Sequence, residues 1–183
     1  MVQVRRVVTG HDASGKAVFA SDSLVDGLTM AVLPGSEFHR LWGADEAPSF
    51  PDDGSPAPQP TYFPPVGGFR FGMFTIPPES ARAEPRAITD LEAAMGEVNE
   101  KLPGMLGYME PDAPGMHTTD TIDFEVILEG SCVLELDDGA SVTLQVGDTV
   151  VQNGTRHRWS NPFDVPCRLA VILIGAHHTK FAT

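Results

Sequence analysis

The stretch SCVLELDDGASVTLQVGD, residues 131–148, is written with a period of two. Cys132, Leu134 and Leu136 fall on one face, and Val142, Leu144 and Val146 share a face after Asp138 and Gly139. Alternation of this kind marks half-buried strands, and an Asp-Gly pair between two such runs suits a tight hairpin turn, whose central residues need positive φ. The reading is an antiparallel hairpin with one covered side. Downstream, CRLAVILIGA (167–176) is apolar at almost every position and reads as a strand covered on both faces.

Upstream, residues 1 to about 42 read as short strands broken by turns: VRRVVTG, the turn HDASGK, AVFASD and then LTMAVLPG. Residues 48–65 carry seven prolines. A backbone so poor in donors forms neither a central strand nor a helix, so this segment is expected to be a surface arm anchored by Tyr62 and Phe63. FRFGMFTIPP (69–78) reads as a strand stopped by Pro77 and Pro78. One helix is expected near 90–102: Thr89 and Glu92 fit a capping box, and Leu91, Met95, Val98 and Leu102 recur at helical spacing before Pro103 and Gly104. Its apolar stripe should pack on a sheet.

Bulk properties narrow the function classes. A chain of 183 residues with 42% hydrophobic side chains suits one domain with a real core. A formal charge of -13 repels phosphate backbones, which argues against nucleic acid as a partner. No stretch approaches the roughly 20 apolar residues of a membrane span, and the expectation is a cytoplasmic protein with no membrane partner. Cys132 and Cys167 lie inside apolar runs and read as buried reduced thiols.

Two stretches carry candidate chemistry. In GMHTTDTIDFEVILEG (115–130), His117 and Asp123 have the same parity, but one continuous strand would hold them about 20 Å apart. The turn-prone TTDT between them could reverse the chain and bring them onto adjacent strands. In GDTVVQNGTRHRWSN (147–161), the Asn153-Gly154 turn leads directly into His157. His117, Asp123 and His157 would make a facial set of two imidazoles and a carboxylate, which suits one divalent metal ion, with Fe(II) slightly favoured and Zn, Mn or Ni as alternatives. Glu125 shares parity with Asp123 and is the candidate catalytic general base. Trp159 alternates with His157 and could wall the pocket. The competing reading makes His117 and His157 hydrogen-bonded interior residues and has Asp123 satisfying a turn. His39 reads as a surface histidine beside Arg40, and His177-His178 as an exposed tail.

These two stretches resemble the paired motifs of the cupin superfamily. Asp123, followed by six residues and Gly130, falls at the family's glutamate, with His117 at its first histidine and Thr119 in place of its second. Gly147, Gly154, His157 and Asn161 match the second motif in order, with Asn153 in place of a proline and a spacing one residue shorter. The resemblance implies an all-β fold, a double-stranded β-helix or jelly-roll barrel, with N-terminal extension strands and one main α-helix. Residues 105–183 would form the barrel core, and residues 1–104 the strands, arm and helix packed on it, as one structural domain. It further implies a metal-dependent enzyme acting on a small oxygen-bearing organic substrate, by preference a dioxygenase-type oxidoreductase. The alternatives are a metal-dependent lyase, decarboxylase or isomerase, and a non-catalytic ligand-binding cupin that has lost its ion. A homodimer is expected from the family's habit and the extra N-terminal surface.

Overall fold

The computed structural model describes residues 3–81 and 90–179. Strands β1 (Val4–His11) and β2 (Ala17–Val25) form a separate antiparallel hairpin. Its turn is tied by Asp12, whose Oδ1 accepts from the Ser14 and Lys16 backbone N–H groups at 2.8 and 3.0 Å. The other strands are β3 (Glu37–Ala44), β4 (Phe69–Ile76), β5 (Thr121–Glu129), β6 (Ser131–Glu135), β7 (Ser141–Gln145), β8 (Thr149–Asn153), β9 (Arg158–Ser160) and β10 (Cys167–Gly175). They form a five-stranded sheet in the order β3-β4-β10-β5-β8 and a three-stranded sheet in the order β7-β6-β9, antiparallel throughout.

The main core lies between these two sheets. Ile76, Ile127, Leu169 and Val171 come from the larger one, and Cys132, Leu134 and Leu144 from the smaller. Cys132 and Cys167 are free thiols, both fully buried. In the 131–148 hairpin Cys132 faces Leu144, and Leu134 faces Val142. The turn between them has φ of 56° at Asp138 and 74° at Gly139. Burial fades along the hairpin, so that Leu144 is covered while Val142 and Val146 stand exposed. Gly130 turns the chain from β5 into β6 at φ 67°, and a Cβ there would lie 2.3 Å from the Pro166 carbonyl oxygen. Only glycine fits so close an approach.

The expectation of a closed jelly-roll barrel is corrected. The fold mixes antiparallel sheets with an α-helix, and no sheet closes: β3 and β8 end one sheet, β7 and β9 the other. A period of two says which face of a strand is covered, not whether edge strands meet. β10 makes the same point. Cys167, Leu169, Val171 and Leu173 are buried, whereas Ile172 and Ile174 on the opposite face are 42% and 37% exposed. The uniformly apolar run is therefore covered on one face only. Its open face belongs to an apolar row across the larger sheet, in which Phe71 pairs with Ile172, Ile172 with Phe124 and Phe124 with Val151.

Two N-terminal readings also change. LTMAVLPG is mostly turn, with only the Leu28–Phe38 bridge tying it to a strand. EFHRLWGA instead forms β3, and His39 within it is 2% exposed rather than a surface residue.

Helix α1 (Leu91–Lys101) starts from Asp90, whose side chain accepts from the Ala93 N–H at 2.9 Å. Thr89, the expected cap, lies outside the described residues. Ala94, Val98 and Leu102 form the buried face, whereas Leu91 and Met95 are exposed. Val98 and Leu102 pack with Met30 and Phe38, against which Tyr62 and Phe74 also lie. The Pro-rich arm is held from both ends of its aromatic pair. Tyr62 meets Phe38 edge-on with ring centroids 6.2 Å apart, and Phe63 meets Tyr108 at 4.7 Å. The buried Arg70 guanidinium pairs with Asp45 and donates to the Thr61 and Ala44 carbonyls, while Arg40 donates to Gln59. These charge-assisted bonds give a donor-poor segment defined partners. No helix among the described residues is long and apolar enough to cross a membrane.

Candidate functional site: an interior cavity with a polar corner

Strand alternation places the chemistry. On β5, Thr121, Asp123, Glu125 and Ile127 point inward while Phe124, Val126 and Leu128 point out. Asp123 lies opposite Leu173 on one side and Gln152 on the other, and Glu125 opposite Val171 and Val150. Two carboxyls thus sit on a largely apolar floor, 3% and 5% exposed. Asp123 Oδ1 and Glu125 Oε2 have no hydrogen-bond partner.

The environment favours their neutral forms, because burial penalises the carboxylate. Burial raises Asp123 to about 6, with a hydrogen bond from the Thr121 side chain pulling the other way. Burial, reinforced by the neighbouring Asp123, raises Glu125 to about 8.

The Asn153-Gly154 turn, with Gly154 at φ 59°, directs the chain into His157. His157 then pairs with His117 through two backbone hydrogen bonds of 2.9 and 3.0 Å. The two rings lie 4.1 Å apart between centroids and are tilted by 50°. His117 Nδ1 is 3.0 Å from the Gly115 carbonyl, and His157 Nδ1 is 2.9 Å from that of Thr155. A carbonyl only accepts, so each Nδ1 carries the proton and each Nε2 is left as an acceptor. Burial lowers the pKa of both imidazoles; that of His157 falls to about 4, with His117 as the second cause. Trp159 stands edge-on to His157 at 6.3 Å. The Thr119 and Thr121 hydroxyls are hydrogen-bonded to each other at 2.8 Å.

All six residues singled out from the sequence, His117, Thr119, Asp123, Glu125, His157 and Trp159, line one cavity of about 720 Å³. Residues outside the two motif stretches line it too, among them Phe38, Phe63, Phe74, Met105 and Met109. Sequence reasoning missed most of these, because core aromatics and methionines carry no sign of which void they face. Phe63 alone had a signal, as half of an aromatic pair inside a Pro-rich run.

The expected divalent-metal centre is corrected. Among the described residues, no three His, Cys, Asp or Glu side chains gather closely enough to hold an ion. The physical reasons lie in the side chains themselves. Asp123 is a methylene shorter than the family's glutamate, and Thr119, hydrogen-bonded to Thr121, stands in place of the family's second histidine, so the two imidazoles have no third ligand close by among the described residues. The metal-dependent dioxygenase, lyase, decarboxylase and isomerase readings fall with it. Other histidines add nothing: His178 Nδ1 contacts Asp120 at 2.9 Å, away from the cavity lining.

No family model matches the chain. Among known proteins, it is 31% identical over 157 residues to Phomopsin biosynthesis cluster protein C' of Diaporthe leptostromiformis, covering 85% of this chain and 69% of that one. It is also 25% identical over 179 residues to the cupin-domain-containing oxidoreductase fogC of Aspergillus ruber, covering 96% and 74% of the two chains. The chain belongs to the cupin superfamily. Among solved structures, a cupin 2 conserved barrel domain protein from Salinispora arenicola is similar at TM-score 0.40 and 15% identity, over 81% of this chain and 82% of that one. In this cupin the two motif stretches meet in a hydrogen-bonding corner of the cavity, with Thr119 and Asp123 standing where the family pattern has a histidine and a glutamate.

The second motif's Asn161 shows what such a position does structurally. It is fully buried, donates to the Ile76 and Val165 carbonyls at 3.0 and 2.8 Å, and accepts from the Phe163 N–H at 3.0 Å. It ties the loop before β10 to the end of β4.

Proposed function

We propose that this cupin is a small-molecule-binding protein whose interior cavity takes an organic ligand without a metal ion. The observation that carries this reading is the pair of buried, unpartnered carboxyl oxygens on Asp123 and Glu125, set in a largely apolar cavity of about 720 Å³. That volume falls within the roughly 300–1,000 Å³ of small-molecule sites, and convergent polar groups on apolar walls are what such sites use to orient a ligand. An unpaired buried polar atom costs about 1–3 kcal/mol, which a ligand's hydrogen bond recovers. In this reading Asp123, Glu125, His117 and His157 bind polar groups, while Trp159 and Phe74 pack the ligand's body.

Titration with the uncharged fluorophore N-phenyl-1-naphthylamine tests it. One saturable site is expected, with affinity reduced at least tenfold in a folded Val171→Trp variant that fills the cavity. No saturable binding, or binding indifferent to the filled cavity, would sink the reading.

A homodimer belongs to the same proposal. The Phe71, Ile172, Phe124 and Val151 row and the exposed Phe19 and Leu24 of the β1–β2 hairpin leave apolar surface that a second copy would cover. Sedimentation velocity is expected to give twice the chain mass of 19.6 kDa, and Phe124→Lys to give the single chain. A wild-type monomer at micromolar concentration would rule the dimer out.

A further inference from the structure

We propose that the cavity selects an organic amine, holding a protonated amino group between Asp123 and Glu125 with the ligand's apolar body against Phe38, Phe74, Leu169 and Trp159. This rests on the ligand-binding reading and adds the ligand's chemical class. The argument is a count of donors and acceptors. Asp123 and Glu125 lie two residues apart on the inward face of β5, so their side chains leave the strand roughly 6–7 Å from each other. Each presents a buried oxygen without a partner. The two imidazoles that line the same cavity are fixed as Nδ1–H tautomers by the Gly115 and Thr155 carbonyls, so their Nε2 atoms add acceptors and no donors.

The one guanidinium in the lining, that of Arg158, is paired through Nη2 with both Glu135 oxygens at 2.8 Å, which offsets its charge and leaves Nε as its buried unpartnered donor. Among the described residues, no Lys or Arg hydrogen-bonds to Asp123 or Glu125. A corner rich in acceptors and poor in donors discriminates by charge and by donor number. An ammonium brings up to three donors, no acceptor and a positive charge that compensates the Asp123 carboxylate and, held beside Glu125, favours release of that carboxyl's proton. A hydroxyl brings one donor and leaves the remaining acceptors unpaired. A carboxylate brings further acceptors and like charge, and is rejected. The remainder of the cavity is largely apolar, with Phe38, Phe74, Leu169 and Val171 in its walls, so the amine needs a hydrophobic body rather than a polyamine chain.

The experiment is isothermal titration of the full chain at neutral pH with three probes of one skeleton: 2-phenylethylamine, 2-phenylethanol and 3-phenylpropanoate. The amine is expected to bind at least tenfold tighter than the alcohol, and the carboxylate to bind weakest. Asp123→Asn should lower amine affinity at least tenfold and change alcohol affinity less than twofold, with circular dichroism confirming the fold. Glu125→Gln supplies the same test should the Asp123 variant not fold. Equal or tighter binding of the alcohol or carboxylate, or amine affinity unchanged in both variants, overturns the amine assignment. So does failure of all three probes while N-phenyl-1-naphthylamine still binds, an outcome that leaves the cavity reading standing. Failure of the fluorophore as well removes both.

Discussion

Glu125→Gln is expected to stabilise the protein by about 4–5 kcal/mol at pH 8.5 and by less than about 1 kcal/mol at pH 5. The cause is burial on β5, reinforced by Asp123, which raises the Glu125 carboxyl from 4.5 to about 8. A raised carboxyl holds its proton in the folded state where the unfolded chain has released it. Its contribution is therefore complete below pH 4.5 and is lost as pH climbs through about 8. Glutamine keeps the size of the side chain and removes the titration. Asp123, raised from 3.8 to about 6, loses its own contribution over a lower window in both proteins.

His157 works in the opposite sense. Burial and then His117 depress it from 6.5 to about 4, so its contribution is present above pH 6.5 and lost as pH falls through about 4. Between pH 4.5 and 6.5 the His157 gain and the Glu125 loss nearly cancel, each changing by about 1.4 kcal/mol per pH unit. Above pH 6.5 the Glu125 loss stands alone. Urea unfolding of the two proteins at pH 5 and 8.5 reads the difference directly. A stability gap that does not widen with pH would show that the Glu125 carboxylate is solvated or paired in the folded protein.

Asn161→Leu is expected to cost about 3–5 kcal/mol, the second large effect. The change nearly conserves volume but strands the Ile76 and Val165 carbonyls and the Phe163 N–H, each having lost its partner. Unsatisfied buried groups cost about 1–3 kcal/mol apiece. For a chain of this length a loss of that size lowers the melting temperature by roughly 8–15 °C. Asn161 is not itself in the cavity lining, although its partner Ile76 is, so the surviving folded protein should still bind N-phenyl-1-naphthylamine at one saturable site. A melting temperature within about 2 °C of wild type would mean that water replaces the amide.

Much of the candidate site was legible because strand parity is a local property. Asp123 and Glu125 share a face of β5 by their spacing alone, and His157 follows an Asn-Gly turn whose geometry any sequence reader can anticipate. The 131–148 hairpin was readable for the same reason, with its alternation and its Asp138-Gly139 turn both written within eighteen residues.

What these residues do together was not local. Whether His117, Asp123 and His157 close on an ion depends on angstrom-scale reach between distant segments and on how Thr119 and Thr121 bond each other. None of these has a sequence signature. The N-terminal strand β3 was hidden because its polar-looking His39 and Arg40 are covered by the arm and by Arg70's neighbourhood, a long-range packing that composition does not encode. The sequence by itself therefore determined the 131–148 hairpin, the shared inward face of Asp123 and Glu125 and the family motifs, since these follow from periods of two and from turn residues. Only the tertiary structure decided that the sheets stay open, that β10 shows one bare face, and that the paired motifs enclose an acceptor-rich cavity in place of a metal centre. Sheet closure and ligand convergence are set by how distant strands meet in space, and that is a property of contacts between segments rather than of any segment's pattern.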